Sequence, residues 1–265
     1  MRRLLGVRSV GHTGTLDPFA TGLLVLLVGR ATRLAQFVEP EAKTYVATVR
    51  LGVRTETDDF TGAPLEERPV DGLTREAVLG ALEGFRGEQR QRAPTFSAKH
   101  IGGERSHRLA RRGAVVAAPE STVRVYGIEA LDWTLPSLTF RATVSAGTYL
   151  RAIGRDLGDR LGVGGHLTAL RREAIGALRV EDASPLACVT PAMVRPATAV
   201  LGHLPAVELD AEARAAVLHG RPVADQEASS RAAEAAVALI EGSELVAVAR
   251  AEGGWLRPTV VLGTA

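Results

Sequence analysis

Cysteine is almost absent. Cys188 stands alone in 265 residues, which excludes an internal disulfide and a thiolate metal cluster and suits a reducing compartment. No His or Asn motif surrounds it, so it reads as a small buried hydrophobe rather than a catalytic thiol. Lysine is nearly missing too: Lys43 and Lys99 are the only two, and arginine carries the basic side of a chain whose formal net charge is +2. So small an excess excludes a purely electrostatic nucleic-acid binder. Arginine's planar fork matches phosphates and stacks on bases, so nucleic acid is one natural partner, and an arginine-favouring composition is the plain alternative. The longest strongly apolar run, Leu23 to Val28, ends at Gly29-Arg30, far short of the roughly 20 residues of a membrane helix. The start MRRLLGVRSV has a basic front, but Arg8 interrupts its apolar part before a signal-peptide core can form. The expectation is a cytoplasmic chain with no membrane partner.

Cofactor signatures are also lacking. The six histidines are scattered, with only His100 and His107 near each other in an Arg-rich segment, so no metal is expected. No G-x-x-x-x-G-K-[ST] spacing occurs, and "GVGGHL" from Gly162 lacks the third glycine of a dinucleotide fingerprint. No cofactor is expected.

What is present is an ordinary globular composition, 46% apolar and 23% charged, on a chain long enough for one domain of about 200 residues and a smaller appendage. Tyr45, Ala47, Val49 and Leu51 alternate with Val46, Thr48 and Arg50 as a half-buried strand. Thr122 to Tyr126 and Leu138 to Val144 alternate likewise and pair antiparallel through a turn near Pro136-Ser137. "LTREAVLGALEGF" reads as an amphipathic helix with Thr74 as N-cap. In "GTYLRAIGRDLGDRLG", Leu150, Ile153, Leu157 and Leu161 form one helical stripe beside Arg151 and Arg155, with the helix starting at Gly147. Strands and helices mixed without regular alternation favour an α+β fold over a doubly wound sheet. Pro185, Pro191 and Pro196 punctuate residues 184–199 as a connection. It separates a catalytic domain, 1–184, from a small, mostly β domain, 200–265, with a short helix near Asp210 to Leu218 and two β runs around Gly253-Gly254. The Arg and Trp residues of this tail either touch RNA or close its small core.

The chemistry centres on "GHTGTLDPFATGLL", Gly11 to Leu24. Asp17 before Pro18 has a plain reading as a turn residue capping backbone N-H groups. A chain without thiol, metal or cofactor motif, however, has little but carboxylates for hard chemistry, and His12, Thr13 and Thr15 stand ready to order the loop. Asp58 and Asp59 look like a metal pair but read as loop caps or solvent-facing acids.

The Gly11–Leu24 stretch resembles the catalytic-aspartate motif of the bacterial tRNA pseudouridine-55 synthases (the TruB family). "KTYVATVRLGVRTETDDFTG", "APTFSAKHIGGERSHRLARRG" and "VSAGTYLRAIGRDLGDRLGVGGHLTALRREAIG" are similar to later blocks of that family in the same order, so the resemblance covers nearly the whole chain. It implies a pseudouridine synthase fold, a mixed and largely antiparallel sheet with flanking helices, plus a PUA-like C-terminal domain. It also implies isomerisation of uridine to pseudouridine in the T loop of tRNA, without cofactor. By motif position Asp17 is the catalytic carboxylate, as nucleophile at C1′ or base at C2′. Arg151 is its arginine partner and Tyr45 the platform beneath a flipped base. Tyr149 and Leu170 line the pocket, His12 holds or replaces the base, and Arg105, Arg108 and Arg111 grip the T-arm. A monomer is the expected state. The plainer alternatives are a solvent-facing Arg151, a core Tyr45 and solvated arginines; at the level of the whole chain, the alternative is an RNA-folding protein that has lost turnover. The family's upstream strand and Lys-Pro-x-Gly loop have no counterpart before Gly11, which is expected to mean a start codon set too far downstream or a lost segment. His100 and His107 stand where lysine and tyrosine are common in the family.

Overall fold

The computed structural model describes residues 1–38, 41–94, 100–101, 104–105, 120–225, 227, 232 and 234–263. After a helical turn α1 (Arg2–Leu5), strand β1 (Val10–Thr13) leads into the Asp17 loop, which touches down in β2 (Thr21–Gly22) and returns as β3 (Val25–Val28), antiparallel to β1. A 3-10 helix over Gly29–Leu34 and helix α2 (Ala35–Val38) follow. Strand β4 (Lys43–Leu51) comes next, then the β5 (Val53–Thr55) and β6 (Pro64–Glu67) hairpin, helix α3 (Arg75–Glu83) and β7 (Gly87–Arg92). The two-residue strands β8 (His100–Ile101) and β9 (Glu104–Arg105) precede a long hairpin, β10 (Glu120–Thr134) and β11 (Ser137–Val144). Helix α4 (Leu150–Arg160), β12 (Gly165–Ile175) and β13 (Leu178–Arg179) complete a seven-stranded sheet in the order β13-β12-β4-β11-β10-β7. Only β2, running parallel to β12, departs from antiparallel pairing.

Alternation decides the inward face. Tyr45, Ala47, Val49 and Leu51 of β4 are all buried, as are Leu138, Phe140, Ala142 and Val144 of β11. Against this face pack Val78, Leu82 and Phe85 of the α3 segment and Leu150, Ile153 and Leu157 of α4. Thr74 caps α3, its hydroxyl accepting from the Ala77 amide, so the helix begins where an orphan donor is satisfied. Helix α4 starts at Leu150 rather than at Gly147, because Gly147 sits at φ +81° in the turn between β11 and the helix.

Beyond three single-turn 3-10 helices at Leu186–Cys188, Pro191–Met193 and Ala197–Val200 stands a second sheet. Its strands are β14 (Ala206–Glu208), β15 (Val223–Ala224), β16 (Ala236–Glu241), β17 (Glu244–Glu252) and β18 (Trp255–Val261), ordered β14-β16-β17-β18-β15, with helix α5 (Ala211–Leu218) beside them. One of its faces closes a core of its own around Val217, Val237, Leu239 and Leu256. The other packs Ala238, Leu245, Val248 and Val260 onto Leu27, Leu34 and Phe37 of the first part of the chain. The Arg30 and Arg33 side chains donate to the carbonyls of Val261, Leu262 and Gly263 across the same seam.

Two expectations need correction. Cys188 is exposed, not a buried hydrophobe, because it falls in a 3-10 turn of the connection with no buried residue. Trp255 closes no core: the residue is 48% exposed on β18. Among the described residues no helix is long and apolar enough to cross a membrane.

Candidate active site around Asp17

Asp17 opens a tight turn in which its carbonyl accepts from the Ala20 amide at 2.9 Å, with Pro18 supplying the fixed φ that the second turn position favours. The turn sits between two anchored strands, and Leu16, Phe19 and Ala20 pack onto the main core. Its carboxylate therefore projects from a loop whose apolar neighbours hold it down.

Facing it, Arg151 is the second residue of α4. Its Nε donates to Asp17 Oδ2 at 3.0 Å and its NH2 donates to Oδ1 at 2.8 Å, a two-pronged pair that fixes the direction of the carboxylate. Exposure is uneven: the Arg151 side chain is 5% exposed and that of Asp17 26%. The cation is sealed in and the anion looks out.

The 56–63 loop packs behind Arg151. NH1 donates to the Thr57 carbonyl at 2.9 Å and lies 3.6 Å from Asp59 Oδ2. Asp59 is buried and accepts from the Thr57 hydroxyl and from the Thr61 amide and hydroxyl. It is thus a loop cap, as the sequence allows, but it does not face solvent. Asp58, at φ +59°, pairs with Arg155 at 3.0 Å. Burial, the largest influence, pushes the Asp58 carboxyl above the usual range, against the pull of Arg155 and Arg151. Nothing local in the sequence reveals the Asp59–Arg151 approach, since the partners are far apart in the chain and meet only through the fold.

Tyr45 lies on the core face of β4 together with Leu170 of β12, in the same cluster as Leu16 and Phe19 of the Asp17 loop. Burial pushes the Tyr45 hydroxyl up, the Arg172 guanidinium opposes that shift, and the Asp17 charge adds to it. Tyr149 is the N-cap of α4 and is clamped through its backbone. Its amide donates to Gln91 Oε1 at 2.8 Å and its carbonyl accepts from Gln91 Nε2 at 3.1 Å. Gln91, buried on β7, is a supporting residue that sequence reading misses. His12 is exposed on β1, paired with Leu26, on the strand that feeds the loop.

Asp17, Arg151, Tyr45 and Leu170 are therefore brought together, with Tyr149 held at the start of the helix that carries Arg151. Arg108 and Arg111 lie outside the described residues, as does the side chain of Arg105, whose backbone pairs with His100. Among the described residues no three His, Cys, Asp or Glu side chains converge as metal ligands. The assembly offers one aimed carboxylate, a fixed cation and an aromatic hydroxyl on an apolar floor.

Comparison with known proteins gives one family model, two similar relatives and two similar solved structures. The family model described as TruB family pseudouridylate synthase (N terminal domain) matches residues 2–150. A protein of Ralstonia pickettii named tRNA pseudouridine synthase B is 40% identical over 275 residues, covering 97% of this chain and 86% of the relative. A protein of the same name from Gloeobacter violaceus is 42% identical over 276 residues, covering 100% and 92%. Among solved structures, a Cbf5-Nop10-Gar1 complex superposes with TM-score 0.74 at 25% identity over 99% of this chain and 78% of that one. An H/ACA ribonucleoprotein bound to a substrate RNA containing 2'-deoxyuridine gives 0.75 at 24% identity, over 99% and 79%. That last likeness speaks for the fold.

Proposed function

The chain belongs to the TruB family of pseudouridylate synthases, and from that premise we propose that it converts uridine to pseudouridine in tRNA, at position 55 of the T loop, with Asp17 as the reacting carboxylate. The observation that carries this reading is the two-pronged Arg151–Asp17 pair, in which a sealed guanidinium holds a carboxylate that remains open to an incoming nucleotide.

The reaction breaks the N1–C1′ bond, turns the uracil and joins C5 to C1′; C5 loses a proton and N1 gains one, so the product is an isomer. Asp17 serves either as nucleophile at C1′ or as base at C2′. Arg151 keeps it aimed in both cases. The target base is flipped out of the folded T-arm, at a cost of a few kcal/mol in lost stacking. An aromatic platform recovers about 1–3 kcal/mol of that cost. Tyr45 is that platform in this reading, and its hydroxyl takes part in the proton transfer at C5. In this reading Leu170 and Tyr149 line the pocket and His12 holds or replaces the flipped base. Arg105, Arg108 and Arg111 contact the T-arm phosphates in this reading.

In the same proposal the chain works as a cytoplasmic monomer. Residues 1–184 form the catalytic part and 200–265 an RNA-binding accessory. The separate core of the second sheet supports this division.

The test is a T-arm RNA carrying tritium at C5 of uridine. Release of tritium by the unmodified chain and none by Asp17→Asn, at equal RNA binding, is the expected result. Binding without release in the unmodified chain would overturn it.

A further inference from the structure

Arg172 heads the fully buried side chains by volume, and nothing in the reaction as laid out above uses it. It lies on β12 directly opposite Tyr45 of β4, two residues beyond Leu170 and so on the same face of the strand. From there it reaches both ends of the Asp17 loop. Its Nε donates to the Leu23 carbonyl at 2.8 Å and its NH2 donates to the Gly14 carbonyl at 2.9 Å. Its own carbonyl accepts from the Leu23 amide at 2.8 Å. The approach is possible because Gly22, partner of Arg172 in the β2–β12 ladder, has φ +95° and no Cβ; a Cβ there would overlap the Arg172 carbonyl. The third guanidinium nitrogen, NH1, is buried without a hydrogen-bond partner among the described residues.

A plain structural peg does not require this. Among the described residues no carboxylate forms a salt bridge with Arg172; two carbonyls and the neighbouring Tyr45 hydroxyl hold its guanidinium, and a buried charge without a carboxylate partner is costly compared with an apolar side chain of the same volume. The geometry also differs from a simple cross-link, since one side chain grips the chain before and after Asp17 while standing across from Tyr45. We infer that Arg172 is a positioning residue: by clasping the loop at Gly14 and Leu23 it fixes the Asp17 carboxylate and the Tyr45 hydroxyl relative to each other. The inference rests on the reading of Asp17 as the reacting group. Its chemical sense is that two groups acting on one nucleotide, from a loop and from a strand, need a common rigid reference. A displacement of about 1 Å can cost on the order of 100-fold in rate.

Arg172→Lys keeps the charge but offers a single nitrogen, which cannot serve both carbonyls. With 5-tritiated T-arm RNA, its single-turnover rate constant should fall about 100-fold. Its Kd for the same RNA should stay within about threefold, the split that marks an interaction used in the reaction and not in binding. A merely structural role would lower the fraction of folded, RNA-binding protein and leave the rate per bound complex unchanged. If Arg172→Lys does not fold, Gly14→Ala disturbs the same clasp without replacing the arginine. The added methyl would lie 3.3 Å from NH1 and 3.3 Å from Lys43 Cε, at φ +67°, and the same split between rate and binding is expected. Full rate per bound complex in either folded variant overturns the inference. Failure of the unmodified chain to release tritium would instead strike the uridine reading, so the two failures are distinguishable.

Discussion

Arg151 is shared between two carboxylates: Asp17 takes Nε and NH2, and Asp59 Oδ2 lies 3.6 Å from the remaining nitrogen. Each arm of the fork has a different task, and lysine cannot divide itself so. Arg151→Lys should therefore keep RNA affinity within about threefold while the single-turnover rate falls by about 100-fold or more. Rapid-quench measurement of tritium release beside filter binding reads both quantities. A parallel loss of affinity would mean that Arg151 serves docking instead.

Two helix glycines should respond to alanine in opposite directions. Gly158 of α4 faces the backbone of Gly164 and Gly165, where an added Cβ would overlap main-chain atoms that cannot turn aside. Gly158→Ala should cost at least about 1–3 kcal/mol, the usual range for overpacking. Gly80 of α3 has no atom within 4 Å of a Cβ position, so Gly80→Ala should stabilise by about 0.5–1 kcal/mol. Urea unfolding midpoints of the two variants should fall on either side of the parent.

The elements that alternate or repeat cleanly were legible in the sequence, and those that carry buried charge were not. β4 and β11 show their inward face in every second residue, and α3 announces itself by its Thr74 cap and apolar stripe. Strand β12 lies next to β4 in the sheet, yet "TALRREA" within it reads as polar. Its inward Arg172 breaks the apolar alternation on which strand reading depends. β10 was legible only from Thr122 to Tyr126 because register shifts near Val125 and Ala130 interrupt its period. Around the site, Asp17, Arg151 and Tyr45 stood out through the family resemblance, whereas Asp59 and Gln91 act through partners distant in the chain. Spacing along a sequence carries no information about such meetings.

Asp58 supplies a prediction whose sign is fixed by thermodynamics. Burial holds its folded pKa above the ordinary value despite Arg155, so the folded chain binds the proton more tightly than the unfolded one. The stability this contributes is fully present below the unfolded pKa, about 3.9, and is lost as pH rises through the raised folded value. Asp58→Asn removes that titration, and asparagine tolerates the positive φ. Relative to the parent, the variant should gain stability between acid and neutral pH and be no less stable at pH 7. Unfolding midpoints followed over that span test it, and a parent that gains on the variant as pH rises would show that Arg155 outweighs burial.

The seam between the β1–β3 ribbon with its following helices and the second sheet should make these two parts unfold together. Leu34 is fully buried where Leu27 and Phe37 meet Leu245, Val248 and Val260, so both sheets line any cavity made there. Leu34→Ala should cost about 2–5 kcal/mol, as for other buried leucines. Because the lost contacts belong to both sides, amide hydrogen exchange in β17 should accelerate along with that in β1 and β3. The far core around Val217 and Val237 provides the control, since it touches only the second sheet. Were Leu34→Ala to loosen the β1–β3 ribbon alone, the shared packing and the Arg30 and Arg33 bonds would be contacts without energetic coupling, and residues 200–265 would fold on their own account.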